Sequence, residues 1–246
     1  MNRITHRAQI SRGKRKSSSI ILALIFLVLL VGAAGCAYLT GSKKVESAEE
    51  LAEKGMEAFE EEDYSDALKA FNTLKERYPY SRYAILAELK VADAHFYREE
   101  YPEAVGAYED FVELHPKNEA IPYVKYQVGL CYYKQMLSKD RDQTPTRLAI
   151  LSFERLQREH GDSGYASEAT KKIVDCRKLL AEHELYVARF YYKSKHYGAA
   201  LGRLEGVMTG YVDVLPPKIQ REVERLIIAC RAKLSDLTGD EADDHN

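Results

Sequence analysis

The chain has no tryptophan, only four cysteines and only seven prolines in 246 residues. So few cysteines exclude a disulfide-stapled scaffold, and so few prolines beside fourteen glycines leave little material for turns. No glycine-rich phosphate loop, Gly-x-Ser-x-Gly elbow, His-Glu-x-x-His pair or paired-cysteine metal motif occurs. The histidines His95, His115, His160, His183 and His196 never fall as a ligand-like pair on one helical face. His183-Glu184 reads as a solvated helix pair, and Asp140 and Asp142, interleaved with Lys139 and Arg141, read as a self-neutralising loop. No enzyme, metal site or cofactor is expected. An excess of one charge is missing too: 36 Lys and Arg against 38 Asp and Glu leave −2, so nothing draws the chain to nucleic acid. What is present is an ordinary globular composition with eighteen tyrosines, which suggests helices packed through aromatic rings.

The charges are unevenly placed. Arg3, Arg7, Arg12, Lys14, Arg15 and Lys16 precede twelve unbroken apolar residues from Ile20 to Val31, and Gly32-Ala33-Ala34-Gly35 then leads to Cys36. From Cys36 onward, 30 bases face 38 acids. A basic stretch, a short apolar core and small residues make the layout of a secretory signal peptide over residues 1–35. Small residues directly before a cysteine resemble the bacterial lipobox, although Ala33 stands where leucine is commonest. That resemblance implies cleavage before Cys36, lipidation of its thiol and a linker over 36–46. Each buried methylene contributes about 0.8 kcal/mol, so several acyl chains hold a protein at a membrane where one does not. Ala37 in place of aspartate points to the periplasmic face of the outer membrane. An uncleaved anchor across the uncharged stretch Ser17 to Ser42 is the alternative. The other cysteines, Cys131, Cys176 and Cys230, sit in apolar helical contexts and read as small core residues.

From Ser47 onward apolar residues recur at three and four, the period of a helix. Sliding the chain by 37 residues lays Gly55 on Ala92, Tyr64 on Tyr101, Asp66 on Glu103, Ala67 on Ala104, Phe71 on Tyr108 and Pro79 on Pro116. This pattern resembles the tetratricopeptide repeat, in which small residues let two antiparallel helices cross closely and rings fill the adjoining layer. A third copy carries Gly129, Ala149, Phe153 and Leu156, with the polar stretch Lys139 to Pro145 as an inserted loop. A fourth carries Ala188, Tyr197, Ala200, Leu204 and Val207, its first helix starting near Tyr165 and running about 30 residues, or about 45 Å. One more helix is expected from Lys218 to Leu237 as a polar-faced cap. The expected fold is all-α, a tetratricopeptide-repeat solenoid of about four to five antiparallel helix pairs. Repeats one to three occupy 47–164, the long helix, fourth repeat and cap 165–238, and a disordered acidic tail 239–246.

Beyond the generic repeat positions, several segments resemble the BamD family of outer-membrane assembly lipoproteins. They are Glu76-Arg77-Tyr78-Pro79-Tyr80, Ile121 to Leu130, Asp140-Arg141-Asp142-Gln143, Ala169-Thr170-Lys171-Lys172, Tyr186 to Tyr192 and Arg203-Leu204-Glu205-Gly206-Val207. The resemblance spans about Glu50 to Tyr211. It departs in a shorter loop before Asp140 and in a single helix after Pro217, where the best-known members have a fifth repeat. It implies a non-catalytic scaffold of the machinery that folds and inserts β-barrel proteins. The implied partners are a BamA-like barrel protein, other assembly lipoproteins and unfolded outer-membrane proteins. Arg203 is the candidate contact to BamA. Repeat geometry places Phe59, Phe96 and Tyr97 on the concave side as a candidate substrate groove, because ring faces offer area without demanding one sequence. Packing of those rings between repeats is the alternative. A pilotin-like repeat lipoprotein serving a secretin or pilus would share the signal and the repeats, but not the Asp140 to Gln143 stretch or the Gly206 motif. A cell-wall hydrolase or its accessory would need a nucleophile or metal constellation that the sequence lacks.

Overall fold

The computed structural model describes residues 45–243, with side chains to Leu237; Cys36, the signal residues 1–35 and most of the linker lie outside the described residues. Ser47 opens the repeat domain with a capping box, its hydroxyl accepting from the Glu50 backbone N–H while Glu50 accepts from the Ser47 N–H. Helices α1 (Ala48–Glu60) and α2 (Tyr64–Arg77) form the first pair, α3 (Ala84–Tyr97) and α4 (Tyr101–Leu114) the second, and α5 (Ile121–Lys134) and α6 (Thr144–Glu159) the third. The 30-residue α7 (Gly164–Lys193) pairs with α8 (Tyr197–Gly210), and a short 3-10 turn leads into α9 (Pro217–Asp243). Each helix packs on the next, and α7 also reaches back to α5. The fold is an all-α tetratricopeptide stack.

The turn inside three of the four pairs is built alike. Glu62, Glu99 and Lys195 each take a positive φ near 60°. The next residue's N–H then reaches back five residues, from Asp63 to the Ala58 carbonyl, Glu100 to His95 and His196 to Tyr191. This is the Schellman closure, which satisfies helix-end carbonyls. The third pair lacks it and uses the loop over 135–143. Sequence reading placed Pro145 in that loop, but α6 already begins at Thr144. Proline suits a helix's first turn, where its missing N–H has no partner to lose, and Asp142 caps the start by accepting from the Thr144 N–H and hydroxyl. The last helix runs on past Gly239 to Asp243, because a helical glycine costs only about 1 kcal/mol and no proline follows to break the ladder.

Small residues decide how closely the pairs cross. A Cβ on Gly55 would stand 2.6 Å from the Phe71 ring, and one on Gly129 2.4 Å from the Phe153 ring, both closer than any carbon contact tolerates. Those rings, with Tyr108 and Phe111, are among the largest fully buried side chains. Cys131, Cys176 and Cys230 are buried free thiols, and burial pushes the first two up to about 12, which keeps them protonated and unreactive.

Among the described residues, one charged side chain lies inside. Asp93 of α3 is 3% exposed. Its Oδ1 accepts from the Tyr108 hydroxyl (2.7 Å) and the Tyr123 hydroxyl (2.8 Å), and its Oδ2 from Lys90 Nζ (3.1 Å). Gln127 Nε2 in turn donates to the Tyr123 oxygen at 2.8 Å. The network joins α3, α4 and α5, tying the second repeat to the third, and Lys90 also lies 4.4 Å over the Phe59 ring of the first.

Candidate partner-binding surfaces

Two regions bring the candidate residues together. At the first, Phe59 at the end of α1 meets Tyr64 (5.2 Å between centroids) and Tyr97 (5.7 Å) edge-on, while Tyr64 and Tyr97 stack at 5.2 Å. Phe96 touches Tyr97 at 5.6 Å and Tyr101 at 5.8 Å. The three candidate rings therefore form one cluster bridging repeats one and two. They are not equally available. Phe59 and Phe96 are half-buried against the first and second cores, whereas Tyr97 is 50% exposed. Tyr64, named in the sequence as a repeat position and not as part of the groove, is the ring that completes the stack. Its signal was visible in the repeat register, since Tyr64, Tyr101 and Tyr197 all open second helices.

The second region is the outer face of α8. Arg203 Nη1 donates to Glu184 Oε2 of α7 at 2.6 Å, and the side chain is 40% exposed, leaving its other N–H donors for solvent or a partner. Around it Gly198, Gly202, Gly206, Ala199 and Tyr211 line an open recess of about 480 Å³. Glycines 198, 202, 206 and 210 recur every fourth residue and share one helical face. A Cβ built on any of the four meets nothing within 4 Å. Unlike Gly55 and Gly129, these glycines serve no close approach among the described residues, yet each helix-interior one weakens α8 by roughly 0.5–1 kcal/mol relative to alanine. The spacing was legible in the sequence; that the face is open was not. Opposite faces of α8 are fixed by the Arg231–Glu205 pair to α9 (2.7 Å) and by the Leu204 and Val207 core. Arg177 grips Asp213 with both terminal nitrogens, at 2.5 and 2.7 Å, and the Gly210 carbonyl at 2.9 Å, which fixes the end of α8 against α7.

Neither region assembles the groups of an active site. Among the described residues no cluster of His, Cys, Asp and Glu could hold a metal ion, and no helix is long and apolar enough to cross a membrane. The arrangement offers surface instead: stacked rings at one end of the stack and a side-chain-free helix face beside an arginine near the other.

Comparison with known proteins agrees with that character. The model of the family YfiO, described as outer membrane lipoprotein, matches residues 44–236. The outer membrane protein assembly factor BamD of Rickettsia prowazekii is 30% identical over 197 residues, covering 80% of this chain and 78% of the relative. BamD of Caulobacter vibrioides is 28% identical over 154 residues, 63% of this chain, and the match spans only half the length of that relative. Among solved structures, the TPR2AB domain of yeast Sti1 in complex with pHSP90 aligns with a TM-score of 0.48 at 16% identity, over 76% of this chain and 70% of that one. The fold assignment rests on the helix pairs themselves. With the family model running from the start of the repeat domain into α9, and the same helix-pair segments carrying the resemblance seen in the sequence, the chain belongs to the YfiO/BamD family of outer membrane lipoproteins.

Proposed function

We propose that this protein is a non-catalytic scaffold of outer-membrane β-barrel assembly, lipid-anchored through Cys36 at the periplasmic face. In this reading the open face of α8 around Arg203 holds a BamA-like barrel protein, and the cluster of Phe59, Phe96 and Tyr97 receives unfolded outer-membrane proteins. The observation that carries the first contact is the glycine face: its helix-interior glycines weaken α8 with no return among the described residues, and a partner backbone packed against them would supply one. Arg203, half-exposed and already oriented by Glu184, offers an adjoining partner a fixed cation. The rings suit an unfolded strand because they present area at low entropic cost.

The test is a mild-detergent pull-down of the native protein from its own outer membranes, with mass spectrometry of what accompanies it. A large barrel protein bearing tandem periplasmic domains is expected with the wild type and is expected to be lost in Arg203→Glu. Gly202→Leu should separate binding from folding. It fills open space, so the protein should melt no lower than the wild type, while the barrel protein is again lost. A secretin or pilus protein in its place, or undiminished recovery with both variants, overturns the reading.

A further inference from the structure

A third surface involves neither the rings nor Arg203. The loop over 135–143 is folded from within. Gln143, 1% exposed, donates from Nε2 to the carbonyls of Ser138 (3.0 Å) and Arg141 (3.1 Å), and its Oε1 accepts from the Thr146 hydroxyl (2.9 Å). Asp140 accepts from the Ser138 hydroxyl at 2.6 Å, and Asp142 caps α6. His183 of α7 donates from Nδ1 to the Lys139 carbonyl at 2.7 Å and pins the loop to the long helix. In Asp140-Arg141-Asp142-Gln143, three side chains thus build the loop. The side chains of Lys139 and Arg141 are exposed, and their charges only help to favour the ionised form of Asp140 after its hydrogen bonds have done so.

Between this loop and the start of α9 lies a cleft of about 390 Å³ over α7. Its floor is apolar, from Leu185, Leu215, Pro216 and Ile219, and its rim carries Lys139, Lys178 and Arg189 against a single acid, Glu182. Arg189 is held by Glu222 at 2.5 Å, and Lys178 reaches Asp175 only at 4.0 Å with both side chains half-exposed. Lys139 has no carboxylate within salt-bridge distance among the described residues. With Arg189 taken up by Glu222, Lys139 and Lys178 are the rim cations that no close carboxylate holds, in a chain whose mature part carries more acids than bases. We propose that this cleft docks an acidic peptide segment of a partner protein, its apolar side chain seated on the Leu215 and Ile219 floor and its carboxylates meeting Lys139 and Lys178. Opposite charge at the rim steers and orders such a segment, and the apolar floor retains it. A recess walled on both sides admits an extended chain more readily than a flat bilayer surface. The rigid loop lowers the ordering penalty on the protein's side. This inference holds whether or not Arg203 binds a barrel protein.

The test is fluorescence anisotropy on the full chain in detergent with a fluorescein-labelled hexapeptide of alternating Asp and Leu. A peptide with Lys in place of Asp, and phosphatidylglycerol vesicles, serve as the comparison ligands. The acidic peptide is expected to bind, more weakly as sodium chloride is raised, and the double variant Lys139→Glu, Lys178→Glu is expected to weaken it about tenfold or more. Lys117→Glu, an exposed charge reversal on another loop, should change affinity by less than about twofold. All three substitutions alter exposed side chains, and unchanged helical circular dichroism of both variants checks their folding. Absent binding, equal binding of the acidic and basic peptides, undiminished affinity in the double variant, or capture of the vesicles alone overturns the proposal.

Discussion

Phe153→Ala is expected to lower the unfolding free energy by about 3–5 kcal/mol, because a fully buried ring is removed from a core that can collapse only partly around the space left. The ring lies in a cluster with Ala149, Leu156, Ala169 and Cys176, and Tyr126 packs 5.7 Å from its centroid. Its partner across the helix pair is a position with no side chain. At Gly129 a methyl would sit 2.4 Å from the ring, so Gly129→Ala alone should cost about 1–3 kcal/mol by forcing apart two well-packed helices. The informative variant combines both. With the ring gone the methyl enters vacated space, so the double variant should be more stable than the sum of the two losses by about 1–2 kcal/mol. Urea denaturation of the four proteins measures the coupling. Strict additivity would mean that the ring does not lie over the glycine. Gly55 and Phe71 repeat the arrangement in the first pair and should couple with the same sign.

The second large effect is expected at Asp93. Asp93→Ala should destabilise the protein by about 3–5 kcal/mol, since it leaves the buried Tyr108 hydroxyl, the partly buried Tyr123 hydroxyl and the Lys90 ammonium without their acceptor. Burial, and after it the Asp93 carboxylate, pushes the Tyr108 and Tyr123 phenols upward, so both are hydrogen-bond donors at neutral pH. Asp93→Asn keeps one acceptor oxygen and should lose distinctly less. Chemical denaturation monitored by circular dichroism separates the two. Equal and small losses would show that the network adds nothing beyond the surrounding apolar packing.

Much of this architecture could be read from the amino acids alone. The shift of 37 residues, the small residues opposite large rings and the breaker-free run after Tyr165 each follow from local chemistry: packing volume, helix period and turn composition. The 30-residue α7 and the single closing helix have the places those signals indicate. Asp93 was beyond reach for a physical reason. Its partners Tyr108 and Tyr123 lie 15 and 30 residues away, on helices whose facing sides depend on the superhelical stagger of the repeats, and a lone aspartate carries no local mark of burial. The candidate surfaces divide in the same way. Arg203 and the three rings could be named from motif and register, and the glycines of α8 were visible as a spacing. Whether a glycine relieves a clash, as at Gly129, or leaves bare backbone, as at Gly202, is a three-dimensional property. So is the role of Gln143, an ordinary polar residue of a motif in the sequence and the buried hub of a loop in the fold.

The long helix α7 supplies Ala169 and Cys176 to the core of the third pair, and Ala181, Leu185 and Ala188 to that of the fourth. In a stack of separate repeats each unit can open by itself, and amide exchange then grades smoothly from the middle to the ends. Here a backbone opening within α7 strips a wall from both cores at once. The stretch from α6 to α9 is accordingly expected to behave as a single exchange unit, the amides of α6 and α8 acquiring deuterium in step, while α1 to α5, joined through the core around Tyr108 and the Asp93 network, keep a stability ladder of their own.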